Sequence, residues 1–194
     1  MSYHIYTTPG IILKRKVSGE ADTLLYILTQ DLGLIEAKAT GTRSQSSKLR
    51  GSLQEYSLVK ISCVKGKYSW KITNAVLDKN LFFDNPPYLH IVMAQISAVL
   101  LKVIVGEMPQ KNVYELIESG FKALSGLSNG EVSEFESLIL IRLMSLLGYV
   151  ENNIDINKYL ENNLDWSKSI LSEVKEDRIK LVAVINKALK ESHL

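Results

Sequence analysis

Residues 10–53 read GIILKRKVSGEADTLLYILTQDLGLIEAKATGTRSQSSKLRGSL. The stretch opens on an apolar run, Ile11-Ile12-Leu13, that ends in a basic cluster, Lys14-Arg15-Lys16. A polar turn follows at Ser18-Gly19-Glu20. The segment Leu24–Leu28, apolar with Tyr26 inside it, then pairs back on Leu34–Ala39 across the turn Asp31-Leu32-Gly33, which makes a hairpin. The stretch closes on a loop of Gly, Ser and Thr carrying Arg43, Lys48 and Arg50, with no acid between Gly41 and Gly51. A flexible loop that is basic and free of acids suits a polyanion.

Outward from this stretch the strand signal continues. In Leu58–Val64, Val59, Ile61 and Cys63 share one face and are expected to point inward, while Leu58, Lys60, Ser62 and Val64 fall on the other. Lys65-Gly66-Lys67 is a turn, and Tyr68–Ile72 returns from it as a second hairpin. About five strands in roughly 80 residues, with a long loop in the middle, suit a small closed barrel. The OB-fold is the candidate, because its loops and one sheet face bind oligonucleotides. The segment Leu81 to Pro87, LFFDNPP, ends this region. Phe82 and Phe83 are expected to pack between two domains, with exposed partner contacts as the alternative.

Beyond Pro87 the period changes from two to three and four. Leu89, Val92, Met93, Ile96, Val99, Leu100 and Val103 line one helix. Asn112 and Glu115 resemble a capping box for the next, with Val113, Leu116, Ile117, Phe121 and Leu124 as its stripe. Ser133 and Glu136 cap a third, whose stripe is Phe135, Leu138, Ile139, Leu143, Leu146 and Leu147, and Gly148 stands where a C-terminal cap is needed. The tail holds a short helix near Ile156–Leu160 and a longer one near Ser167–Leu189. The expected class is therefore α+β in two domains: a small β-barrel over residues 1–80 and an all-helical domain over residues 81–194.

Composition narrows the function. The chain of 194 residues is 46% hydrophobic and 23% charged, with a net charge of +2, as for an ordinary globular protein. The charge is unevenly spread: up to Asn80 there are 12 Lys+Arg against 6 Asp+Glu, and the remaining 11 and 15 leave the helical part acidic. The basic half is the candidate for nucleic acid. One cysteine, Cys63, permits no intrachain disulfide and reads as a buried, inert thiol. The start, YHIYTTPG, lacks a basic leader and an apolar core, so no signal peptide is expected. The most apolar run, Ile91 to Val105, is broken by Gln95 and Lys102, so no membrane span is expected and the chain reads as cytoplasmic.

No nucleotide-binding glycine loop, zinc-protease or nucleophile-elbow motif occurs, so the chain reads as non-enzymatic. His4, His90 and His193 lack metal-ligand spacing and read as surface or packing residues. Glu20 and Asp22 follow a glycine without a catalytic partner; they read as turn residues that pair with Arg15 or Arg43. The candidate phosphate contacts are Lys14, Arg15, Lys16, Lys38, Arg43, Lys48 and Arg50, with Lys65 and Lys67 in the second hairpin. The alternative for this set is an ordinary solvated face. Tyr56, Tyr68 and Trp70 are candidates for base stacking, Trp70 also for the core.

The order of these parts resembles the RecO family of bacterial recombination mediators. The resemblance rests on Gly10–Arg15, Gly19–Asp22, Asp31–Gly33, Thr40-Gly41-Thr42-Arg43 and Leu49-Arg50-Gly51-Ser52-Leu53. It covers about the first 80 residues, with Leu146-Leu147-Gly148-Tyr149 similar to the family's ending of a core helix. It implies an OB-fold joined to a helical domain, a DNA-repair role, and binding of single- and double-stranded DNA. It also implies strand annealing and, with RecR, loading of RecA on DNA coated by SSB. Two departures stand out. Many members carry a four-cysteine zinc site after the Leu-Gly-Tyr; here Tyr149 is followed by Val150-Glu151-Asn152-Asn153, so no zinc and no other cofactor is expected. Some members hold the acidic C-terminal tail of SSB with a basic residue near the start of that helix. The matching place, Ser137-Leu138, is not basic, and Arg142, between Ile139 and Leu143, is the candidate substitute. Rival readings are a protein-interaction adaptor and an RNA-binding OB protein; phosphate binding would weaken steeply with salt.

Overall fold

The computed structural model describes residues 4–45, 47–150 and 154–191, so His193 and the run from Glu151 to Asn153 lie outside the described residues. Five strands come first: β1 (Ile5–Ser18), β2 (Asp22–Thr29), β3 (Gly33–Ala39), β4 (Ser57–Lys65) and β5 (Trp70–Asn80). They close in the order β1-β2-β3-β5-β4, with β4 returning to β1. All pairs are antiparallel except β3 and β5, which run parallel and meet at Ala37–Trp70 and Lys38–Lys71. This is the five-stranded barrel of an OB-fold.

Closure depends on β1 being long. The sequence suggests a strand only after Pro9-Gly10, but β1 begins at Ile5 and carries Pro9 within it, opposite Lys60. Proline donates no hydrogen bond, but its carbonyl still accepts one, here from the Gln30 N–H at 3.1 Å. The register against β2 slips between Ile12 and Lys14. Ile11 and Ile12 are both buried because both faces of the strand are covered there, Ile11 pairing with buried Leu28 and Leu58 and Ile12 with buried Ile27, and the bulge adds Leu13 to the run. Ile12 joins the barrel core with Leu25, Ile27 and Ile35, and the expected inward face of β4, Val59, Ile61 and Cys63, joins it too. Burial pushes the Cys63 thiol up to about 11, the inert state its setting implies.

The β2–β3 turn uses Gly33 for two reasons. Its φ is +73°, and a Cβ there would collide with the main chain of Met108. Met108 belongs to a connecting segment, residues 104–114, that joins residues 1–86 in one compact unit. The second unit comprises residues 87–103 and 115–194.

The short helix α1 (Leu81–Asp84) ends the barrel unit's strands, and it is followed by α2 (Pro87–Val103) and α3 (Lys111–Ala123). Then come α4 (Val132–Leu146), α5 (Ile154–Asn157) and α6 (Lys168–Glu191). In the helical unit α4 packs against α2 and α6 and is buried on nearly every side, from Glu134 to Met144. A helix apolar around its circumference belongs at a core's centre. Two expected caps fall elsewhere. Asn112 lies inside α3, whose Tyr114 N–H bonds the Gln110 carbonyl. The capping box of the α4 approach is Ser128 with Glu131, not Ser133 with Glu136. Ser133 is already helical and its hydroxyl bonds Glu134. At the other end Gly148 takes φ +80°, and the Tyr149 N–H reaches back to the Met144 carbonyl at 2.9 Å, the glycine cap expected there.

Candidate nucleic-acid interface

The outer barrel face is assembled by register. Lys16 pairs with Leu24, Leu24 with Lys38, and Lys38 with Lys71 across four strands. Paired residues share a face, so three lysines stand in one row on the outside of the barrel. Lys71 was missed in the sequence, because its place in the row depends on a parallel pairing that no local pattern announces. Beside this row Lys14 pairs with Tyr26, and Tyr26 with Glu36. Lys16 Nζ lies 5.1 Å from the Tyr26 ring centre and donates to its hydroxyl at 3.4 Å. Tyr26, half-buried, is the aromatic of this face and was not singled out from sequence.

Two loops meet at the C-terminal end of β3, because Thr23 pairs with Ala39 and so brings the β1–β2 turn to the start of the β3–β4 loop. The β4–β5 turn stands beside the Lys71 end of the row instead: it precedes Trp70, which pairs in parallel with Ala37, so it lies toward the start of β3. Arg43 donates to the carbonyls of Glu20 at 2.8 Å and Gly19 at 3.2 Å, so the long β3–β4 loop is tied to the β1–β2 turn. The expected partner of Asp22 is corrected: it is Lys38, at 2.8 Å, and not Arg15 or Arg43. That contact, with the Gly41 N–H, holds the Asp22 carboxyl below the usual carboxylate range. Lys38 is therefore part-neutralised. Lys65 is too, by Glu107 at 2.6 Å, and this contact in turn lowers the Glu107 carboxyl.

The remaining basic candidates are spread along the loop and strand. Lys14, Lys16, Arg43, Lys48 and Arg50 are exposed and Arg15 is half-buried. Arg15 is depressed by desolvation, with Glu55 opposing and Arg50 adding to the shift, which sets Arg50 near it. No contact among the described residues fixes the Lys48 side chain.

The aromatic candidates separate by exposure. Tyr68 is 89% exposed in the β4–β5 turn, with Lys67 Nζ 5.1 Å from its ring. Trp70 is 3% and Tyr56 7% exposed, so neither presents a face to a base. Trp70 packs in the barrel core and Tyr56 stacks on Phe82. Phe83, expected to be packed away, is 75% exposed.

The Arg142 assignment is corrected in the helical unit. Arg142 is buried, and Ile139 and Leu143 beside it are buried too, so none of the three lines an open groove. The Arg142 Nε donates to the Tyr159 carbonyl at 2.8 Å. One terminal nitrogen donates to the Asp165 carbonyl at 2.7 Å and the Asn163 carbonyl at 3.4 Å. Its plane lies 4.8 Å from the Trp166 ring centre. Burial pushes the guanidinium down to about 10, with Asp165 opposing. It is a buried clamp on the irregular segment after α5. Among the described residues, no three His, Cys, Asp or Glu gather as a metal site. Among the described residues no helix is long and apolar enough to cross a membrane.

Comparison with known proteins agrees with the barrel fold. The family model described as "Recombination protein O N terminal" matches residues 1–79. Among curated relatives, the "DNA repair protein RecO" of Nostoc punctiforme is 33% identical over 66% of this chain and 43% of its own length. The "DNA repair protein RecO" of a Nostoc species is 31% identical over 74% and 50%, and that of Dehalococcoides mccartyi 27% over 75% and 57%. The chain thus spans about half the length of the curated relatives it matches. Through the OB barrel built by its first 79 residues, this chain carries the N-terminal domain of the RecO family, whose curated members are named DNA repair proteins.

Proposed function

We propose that the chain binds DNA, single- and double-stranded, without a catalytic step, and promotes strand annealing. The observation that carries this is the lysine row Lys16, Lys38, Lys71 across the outer barrel face, with the β4–β5 turn that bears Lys67 and the exposed ring of Tyr68 beside its Lys71 end and the loop that bears Arg43 beyond the end of β3. Phosphates supply the affinity and their spacing along a strand suits a row of cations across a sheet. The same cations neutralise two strands at once, which is the physical requirement for annealing. Recombination mediation with RecR, in which RecA is loaded on DNA, is part of the same proposal; the relatives' names, which say DNA repair, support its repair side. A receptor for the acidic SSB tail is not carried by Arg142, which is buried with its Nε and one terminal nitrogen turned to main-chain carbonyls.

The test titrates labelled single-stranded DNA, duplex DNA and RNA of one sequence at low and at physiological salt. Affinity for both DNA forms should fall steeply with salt, log K against log salt being linear with a slope of about −0.7 to −0.9 per phosphate contacted. A salt-independent affinity, or none, would return the barrel to a protein-adaptor role. Preference for RNA would favour the RNA-binding reading.

A further inference from the structure

We propose that Phe83 is a stacking platform for an unpaired nucleobase, beside the basic strand β1. The inference rests on the DNA-binding reading above and assigns it a single-strand-specific element.

The first observation is how the ring is held. Tyr56 is the one non-glycine residue with a positive φ, 60°, among the described residues. Such strain persists where surrounding contacts over-determine it, and it clusters at functional sites. The Tyr56 N–H donates to the Ile12 carbonyl at 2.7 Å, and its own carbonyl accepts from the Leu81 N–H at 3.3 Å. β1 and α1 are thus tied through one residue. The Tyr56 ring stacks on Phe82 at 6.5 Å and 22°, and Phe82 meets Phe83 edge to face at 5.6 Å and 89°. Asn80 Oδ1 accepts the Phe83 N–H at 3.3 Å and fixes the backbone of that turn. Phe83 is therefore braced from behind and open in front, an aromatic surface that loses little freedom when something lies on it.

The second observation is what surrounds it. Arg15, Gln54, Glu55, Phe82 and Phe83 line one cavity of about 300 Å³. Glu55 accepts the Arg15 main-chain N–H at 2.8 Å, and Gln54 Oε1 accepts from the Arg15 guanidinium. A carboxylate and an amide oxygen next to the ring repel a phosphate but accept the exocyclic amine of a base. The base thus belongs on Phe83, and its phosphates on the cations of this side, Arg15 in the cavity wall and Arg50 near it. This division of labour favours a nucleotide over an apolar side chain of a partner protein. A paired base has its faces covered and its edge used, so the platform selects single strands.

The test compares the whole chain with Phe83→Ala and Phe83→Trp, using a labelled oligodeoxyadenylate and a blunt duplex in fluorescence anisotropy, with size-exclusion chromatography alongside. Phe83→Ala should weaken single-strand binding by roughly tenfold and leave duplex binding unchanged, because one stacked base contributes on that scale. Phe83→Trp should restore it. Equal loss on both ligands, or no loss on either, overturns the platform while DNA binding stands. Absence of DNA binding by the unmutated chain overturns both. A change in oligomeric state without a change in DNA affinity assigns the ring to a protein contact and overturns the proposal.

Discussion

Gly33→Ala isolates how tightly residues 104–114 are laid on the barrel. Two costs meet at this position. With φ at +73°, an alanine takes on left-handed strain of about 1–2 kcal/mol. Its Cβ would also stand 2.7 Å from the Met108 carbonyl carbon and 2.9 Å from the Met108 nitrogen. Those are main-chain atoms, which cannot swing aside as a side chain can. The turn or the segment must shift, at about 1–3 kcal/mol by analogy with overpacked cores. The sum is about 2–5 kcal/mol, against roughly 5–15 for a whole domain. Gly41→Ala is the control, since Gly41 has φ +66° with nothing within 4 Å of an added Cβ, so only the first cost applies. Urea unfolding followed by tryptophan fluorescence reads both, Trp70 lying in the barrel core. Gly33→Ala should cost about 2 kcal/mol more than Gly41→Ala, and Met108→Ala should not rescue it. Equal losses for the two glycines would refute the packing of Met108 on the turn.

The lysine row gives a second test: Lys16→Ala, Lys38→Ala and Lys71→Ala together should make the salt slope of DNA binding shallower by about 2, one phosphate per unpaired lysine, without unfolding the barrel. Replacing Arg43, Lys48 and Arg50 with alanine should weaken DNA binding in a chain whose far-ultraviolet circular dichroism is unchanged, and unaltered affinity would remove the loop from the interface. Arg142→Met should destabilise the helical unit by about 3 kcal/mol or more, because three main-chain carbonyls lose their donor. DNA affinity of the folded variant should stay as it was. Cys63 supplies a pH signature. Its thiol is raised to about 11 in the fold, against about 8.5 unfolded, so the unfolded chain loses its proton first and stability falls as pH rises through that window. The drop is about 3 kcal/mol, and Cys63→Ala should flatten that part of the pH–stability curve.

Local pattern carried most of the strands and helices, because their burial is periodic. Val59, Ile61 and Cys63 alternate, and Leu89, Val92, Met93 and Ile96 recur at helical spacing. Long-range pairing was not legible in the same way. Nothing near Lys71 says that its strand runs parallel to β3, so the outer lysine row was seen only in part. Arg142 shows the same limit from the other side. A lone cation amid leucines reads equally as a groove rim or as a clamp. What decides it is a set of main-chain carbonyls at Tyr159, Asn163 and Asp165, and carbonyls carry no side-chain signature. Phe83 could be read either as packing or as an exposed contact, because a Phe-Phe pair before two prolines suits both, and only the folded chain shows the ring exposed.

The division of the chain into residues 1–86 with 104–114, and 87–103 with 115–194, means that the backbone passes from one unit to the other three times. A single protease cut or a single truncation point cannot therefore liberate an intact barrel. A fragment ending at Pro86 would lack Met108 over the Gly33 turn and Glu107 opposite Lys65. Such a fragment should regain native thermal stability when residues 104–114 are supplied as a separate peptide or grafted through a linker. Dissection by domain, the usual way to ask which half of such a protein binds which ligand, requires that graft here.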